Sequence, residues 1–160
     1  TEGKDILILA IGSMVAEAMI AHNQLSAMGI QTTVVNNRFV KPLEAKQIVD
    51  LVRPFTRIIT AEENALHGGF GSAVLELLSD HGVSPPHIKR IGIPDRFIEH
   101  GAQSILRAKY GLNPDGITAA AQTLMKIGDS PIRPAPRAEV RDIAPAAHPA
   151  PDQARVRSSA

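Results

Sequence analysis

Two adjacent glutamates, a histidine and a run of glycines fall in one short stretch: Glu62-Glu63-Asn64, His67 and Gly68-Gly69-Phe70-Gly71-Ser72. Carboxylates beside an imidazole can exchange protons with a bound substrate. A glycine-rich turn that opens a helix can aim backbone N–H groups at a phosphate. Each chemistry lacks a part. Neighbours on an extended segment point to opposite sides, so only one of Glu62 and Glu63 can face a given pocket. No second carboxylate or nucleophile stands at a spacing that completes a mechanism. The glycine loop has neither the lysine nor the G-K-[ST] ending of a phosphate-binding loop. Its glycines equally suit close approach of a neighbouring backbone, with Phe70 packing as an anchor. Further on, Asp95-Arg96-Phe97-Ile98-Glu99-His100-Gly101 sets two apolar side chains among polar ones, a mixture that suggests a covered surface. The six histidines show no H-x-x-x-H or H-E-x-x-H spacing. A G-x-S-x-G nucleophile elbow is missing. The lack of cysteine removes disulfides, thiolate metal sites and thiol nucleophiles together, and it fits a reducing, cytoplasmic compartment.

The elements that must position these residues alternate between two periods. Asp5 to Ala10 is an apolar run that predicts a buried strand. Gly12-Ser13 carries one glycine of the three in a dinucleotide fingerprint and suits a tight turn, with Ser13 as N-cap. Met14, Ala18, Ala21, Leu25 and Met28 recur at helical spacing, and Gly29 closes that helix. Thr32 to Val35 is β-branched and predicts a second strand. Pro42 then opens a helix over Leu43 to Val52, with Glu44 in its first turn, and Pro54 stops it. Arg57 to Thr60 and Ile88 to Ile93 predict further strands around a helix from Ser72 to His81. Helices over Ile105 to Tyr110 and Ile117 to Ile127 follow. This order is that of an α/β fold: a doubly wound, mostly parallel sheet of about five strands with helices on both faces.

Of the 160 residues, 44% are hydrophobic and 21% charged, and the net charge is +1. No whole-chain field would draw nucleic acid or an anionic membrane, and no apolar run approaches the roughly 20 residues that span a bilayer. Six of the 12 prolines and five arginines crowd residues 131–160, which lack leucine, glycine and aromatics. Residues 1–127 are therefore expected to form the domain, and 128–160 a disordered Pro/Ala-rich tail.

The run Ala61-Glu62-Glu63-Asn64-Ala65-Leu66-His67-Gly68-Gly69-Phe70-Gly71-Ser72-Ala73-Val74-Leu75-Glu76, followed by Ile91-Gly92-Ile93-Pro94-Asp95-Arg96-Phe97-Ile98-Glu99-His100-Gly101, resembles the carboxy-terminal domain of 1-deoxy-D-xylulose-5-phosphate synthase, in the transketolase group. Asn36-Asn37-Arg38-Phe39-Val40-Lys41-Pro42-Leu43 and Gly111-Leu112-Asn113 fit the same pattern, which covers roughly residues 3 to 127. The resemblance implies a parent enzyme that condenses pyruvate with glyceraldehyde 3-phosphate, releasing carbon dioxide. It uses thiamine diphosphate and a divalent metal, usually magnesium, and feeds isoprenoid, thiamine and pyridoxal synthesis. The family's G-D-G motif and its catalytic side chains lie in the amino-terminal and middle domains, and this sequence has no G-D-G. The start at Thr1, without an initiating methionine, agrees with a part of a longer protein. By resemblance, then, the chain alone carries no catalytic, cofactor-binding or metal-binding residue. Its partners are the other two domains and a second subunit of a homodimer. Glu62, Glu63, Asn64, His67, Gly69, Phe70, Gly71, Asp95, Arg96, Phe97 and His100 are the interface candidates. Two alternatives remain: a stand-alone ligand-binding or regulatory module using the Gly68–Gly71 loop, and the equivalent domain of a 2-oxoacid dehydrogenase β subunit. The D-R-F-I-E-H-G run argues against the second.

Overall fold

Ile6, Leu7, Ile8, Leu9 and Ala10 have no solvent exposure. An unbroken apolar run of this kind is what a strand covered on both faces requires. In the computed structural model, which describes residues 1–84 and 87–127, this run forms β1 (Ile6–Ile11) at the centre of the sheet. The chain continues through α1 (Met14–Ala27), β2 (Thr32–Asn37), α2 (Ala45–Val52), β3 (Arg57–Ala65), α3 (Phe70–Asp80), β4 (His87–Ile93), α4 (Gln103–Lys109) and α5 (Pro114–Lys126). Among the described residues the sheet has four strands, in the order β2-β1-β3-β4, and every pairing is parallel. The expected fifth strand is not among them.

Alternation along β1 divides the core. Ile6, Ile8 and Ala10 pack under Met14, Ala18, Ala21 and Leu25 of α1 and Ile117, Ala121 and Leu124 of α5. Leu7 and Leu9 pack on the other face against Ile48 and Val49 of α2 and Phe70, Val74 and Leu78 of α3. Each of the larger side chains among them, Leu, Ile, Val, Met or Phe, contributes roughly 1.5–3 kcal/mol by leaving water. Helices therefore cover both faces, as the sequence predicts. Arg57, at the start of β3, is buried and donates from Nε to the Leu124 carbonyl (3.1 Å) and from Nη2 to that of Ile127 (3.2 Å). It thereby satisfies carbonyls at the end of α5 that the helix leaves unpaired.

Several element boundaries differ from the sequence reading. Ser13 stands at the N-cap position of α1 as expected, but its hydroxyl donates to Glu63 and makes no capping bond. Met28 is exposed rather than on the buried stripe, because α1 ends at Ala27 and Met28 is its C-cap residue, just before Gly29 turns the chain at φ +80°. Pro42 does not open α2; the helix begins at Ala45, with Glu44 still in a non-helical conformation. β3 runs five residues past Thr60 to Ala65, and α3 starts at Phe70, two residues before Ser72. α5 gains a first turn on Pro114, capped by Asn113, whose side chain accepts from the Gly116 N–H at 2.9 Å. The expected tail over 128–160 lies outside the described residues.

Candidate functional site

With strand order β2-β1-β3-β4, successive connections leave β1 and β3 in opposite directions, and ligands of open α/β sheets gather at such a switch point beyond the strand ends. The residues there are Gly12-Ser13 after β1 and Glu62-Glu63 in the last turns of β3. Extended backbone sends the two glutamates to opposite faces.

Glu62 turns towards α3 and is wholly buried. Its Oε2 accepts from the Phe70 N–H at 2.6 Å and its Oε1 from the Gly71 N–H at 2.8 Å. The first N–H groups of a helix have no partner within it and attract anions through the helix dipole. Here an internal carboxylate fills that place. The glycines make room for it: a Cβ on Gly69 would stand 2.1 Å from the Ala65 carbonyl oxygen and 2.3 Å from Glu62 Oε2, and one on Gly71 would stand 2.5 Å from Thr60 Oγ1. Arg90 of β4 holds the loop from outside, donating from Nη1 to the Leu66 carbonyl and to Ser72 Oγ, both at 2.9 Å.

Glu63 turns to the opposite face. Its Oε1 accepts from Arg107 Nε (2.9 Å) and Gln103 Nε2 (3.0 Å), both on α4; its Oε2 accepts from Arg107 Nη2 (2.5 Å) and from Ser13 Oγ (2.5 Å), at the start of α1. The Arg107 guanidinium, followed by the Ser13 hydroxyl, pulls the Glu63 carboxyl down to about 2, and Arg107 is raised in return. Both members of this fork are about a quarter exposed. Glu99 is likewise held at about 2 by Lys109, and it also accepts from the Tyr110 hydroxyl at 2.9 Å.

The eleven sequence candidates thus separate. Glu62, Gly69, Phe70 and Gly71 are buried, so they cannot touch a neighbouring domain directly. Phe70 in particular is a core residue rather than a surface anchor. Asn64, His67, Asp95, Arg96, Phe97 and His100 are exposed. His67 Nδ1 lies 3.9 Å from Asp95 Oδ2, and the Arg96 guanidinium sits 5.3 Å from the centre of the Tyr110 ring. Phe97 is completely exposed. Glu63 lies between the two sets as the tie to α4. Arg90, Gln103 and Arg107, which the spacing gave no reason to choose, complete the site. Among the described residues no group of three or more His, Cys, Asp or Glu is placed to hold a metal ion. No helix among them is long and apolar enough to cross a membrane.

Fold and site together define a doubly wound α/β domain whose sheet-end crevice is filled by its own side chains. The chain belongs to the transketolase family's C-terminal domain, whose model matches residues 1–117. It is 51% identical over 130 residues to 1-deoxy-D-xylulose-5-phosphate synthase 1 of Geobacter sulfurreducens, covering 81% of this chain and 20% of that one. It is also 51% identical over 122 residues to the synthase of Desulforudis audaxviator, covering 76% of this chain and 19% of that one. The chain therefore spans about a fifth of the length of the curated relatives it matches. Among solved structures, a split-gene transketolase described as an inactive beta4 tetramer superposes with a TM-score of 0.70 at 38% identity, over 76% of this chain and 39% of that one. A transketolase from Pichia stipitis, at 21% identity and a TM-score of 0.53 over 77% of this chain and 16% of that one, shares the fold.

Proposed function

We propose that this chain acts as the carboxy-terminal domain of a thiamine-diphosphate-dependent 1-deoxy-D-xylulose-5-phosphate synthase, a cytoplasmic transferase that uses magnesium and works as a homodimer. The reaction joins pyruvate to glyceraldehyde 3-phosphate with loss of carbon dioxide. The observation that carries this reading is the 51% identity to named synthases across most of the described domain. This chain's part is to pack against the amino-terminal and middle domains and to support the dimer. Asn64, His67, Asp95, Arg96, Phe97 and His100 supply the exposed face for that packing. Glu62, Gly69, Phe70 and Gly71 hold its shape from inside, and Glu63 anchors α4 beside it.

The glycine loop does not fit the diphosphate of thiamine diphosphate. The helix start that would cradle a diphosphate at the glycine loop already carries the Glu62 carboxylate, and a second anion there would meet a buried negative charge. The same contact counts against a stand-alone module that binds phosphate at Gly68–Gly71. No catalytic step is therefore assigned to this chain's residues.

A chimera tests the reading. The matching carboxy-terminal fifth of the Geobacter sulfurreducens synthase is replaced by this chain, and product formation is measured with thiamine diphosphate and magnesium. Turnover within about tenfold of the parent is expected, since a displacement of one packed domain is felt mainly through positioning. The isolated chain is expected to give none. A folded, dimeric chimera without activity, or turnover by this chain alone, would overturn the proposal.

A further inference from the structure

α4 buries none of its residues. The loop that leads to it, from Pro94 to Ala102, leaves Phe97 completely exposed, and Ile105 on α4 is two-thirds exposed. Segments with few buried apolar contacts open at lower free energy than the sheet beneath them. Apart from Tyr110 at its end, which packs against the core, what holds this one is polar. Arg107 and Gln103 both reach Glu63 on β3, while Lys109 and Tyr110 both bond Glu99 within the segment itself. The second pair keeps the loop and the helix together as one piece; the first pair ties that piece to the sheet. Beneath it lies a cleft of about 250 Å3 lined by Glu63, Ile93, Leu106, Arg107, Tyr110 and Leu112. The far end is fixed. Leu112 is buried, and Gly111, at φ +70°, turns the chain so close to Gly116 that a Cβ there would stand 2.2 Å from the Gly111 oxygen.

We propose that residues 94–110 form a strap that opens as one unit over this cleft, pivoting near Gly111, with Glu63 as its latch to the sheet. Opening uncovers Ile93, Leu106 and Leu112 and moves Phe97 and Ile105 together. The apolar surface offered beyond the sheet end therefore changes as a block rather than residue by residue.

Hydrogen exchange on the full chain tests the strap. In the unsubstituted protein, amides in 94–110 exchange together, and faster than those of β1 and β3. Glu63→Gln raises exchange in 94–110 by about tenfold, between what an exposed pair and a charge-assisted bond contribute. It leaves β1 and α3 unchanged. Tyr110 is the one tyrosine in a chain without tryptophan. Its emission should stay at the unsubstituted value in Glu63→Gln, because the Glu99 bond travels with the strap, and rise in Glu99→Ala, which removes the acceptor of that bond. Arg107→Gln should reproduce the Glu63→Gln exchange pattern, and Lys46→Gln on α2 should leave 94–110 untouched. Exchange of 94–110 in step with the sheet, or a Glu63→Gln effect spread evenly through β1 and β3, would overturn the proposal. So would two latch variants that leave the segment as slow as before.

Discussion

Glu62 gains its importance from the two N–H groups it satisfies. Glutamine has the same shape, but one of its two terminal atoms is an amide nitrogen that donates. Whichever way the amide turns, one of the Phe70 and Gly71 N–H groups would face a donor instead of an acceptor. Leaving a buried donor unsatisfied costs about 1–3 kcal/mol, so E62Q should lower the unfolding free energy by that amount, read as a lower urea midpoint at unchanged slope. An unaltered midpoint would mean that the Glu62 carboxylate does not hold α3 as described. Gly69 makes a parallel case from sterics alone. A methyl group there meets the Ala65 backbone oxygen, which cannot swing aside as a flexible side chain can. G69A should therefore cost about 1–3 kcal/mol of overpacking, read in the same titration. Substitution at Gly12 separates strain from crowding: its φ is +60°, but open space surrounds a Cβ, so it lacks that second penalty.

At the scale of elements, Glu63 decides how α4 sits on β3, and its ionisation makes the tie depend on pH. The carboxyl has a folded value of about 2 against an unperturbed 4.5. A depressed folded value means stability that is present in full above the unfolded value and lost as pH falls towards the folded one. The difference in urea midpoint between the unsubstituted chain and E63Q should be widest above about pH 5 and close by about pH 2. Because the pair is a quarter exposed, added salt should narrow it at every pH. A gap that stays constant from neutral pH to pH 2 would show that the charge plays no part. The opposed directions of Glu62 and Glu63 were legible in the sequence, since period two follows from extended backbone alone. The arrival of Arg107 was not: it depends on the path of residues 94–102, which no local propensity sets. Phe70 was misplaced for a different reason. The glycines suggested a loop, yet Phe70, Val74 and Leu78 recur at four-residue spacing, and that stripe marks a helix beginning at Phe70 with its first residue in the core.

For the whole molecule, the order of strands and helices could be read from periodicity, because a central strand buried on both faces has to be apolar throughout. Function could not be read from the same pattern, because the usual ligand place of this architecture is occupied from within. Glu62 sits at the start of α3 on one face, and Glu63 bonds Ser13 at the start of α1 on the other. The start of α3 therefore already carries a carboxylate where a phosphorylated ligand would sit, and at the start of α1 the Ser13 hydroxyl is engaged by the Glu63–Arg107 pair. A ligand at a hundred times its dissociation constant stabilises a folded protein by about 2.7 kcal/mol, several degrees in melting temperature for a domain of this size. Thiamine diphosphate with magnesium should therefore leave the melting temperature of this chain where matched ionic strength alone puts it. On the proposed reading, the chimera with the rest of a synthase should instead show a saturable rise. A saturable rise for the isolated chain would reveal an anion site, and one at the switch point would require Glu62 or Glu63 to give way to it. E62Q, by removing the buried charge, should then bind more tightly than the unsubstituted chain, whereas a site elsewhere on the surface would be indifferent to that substitution.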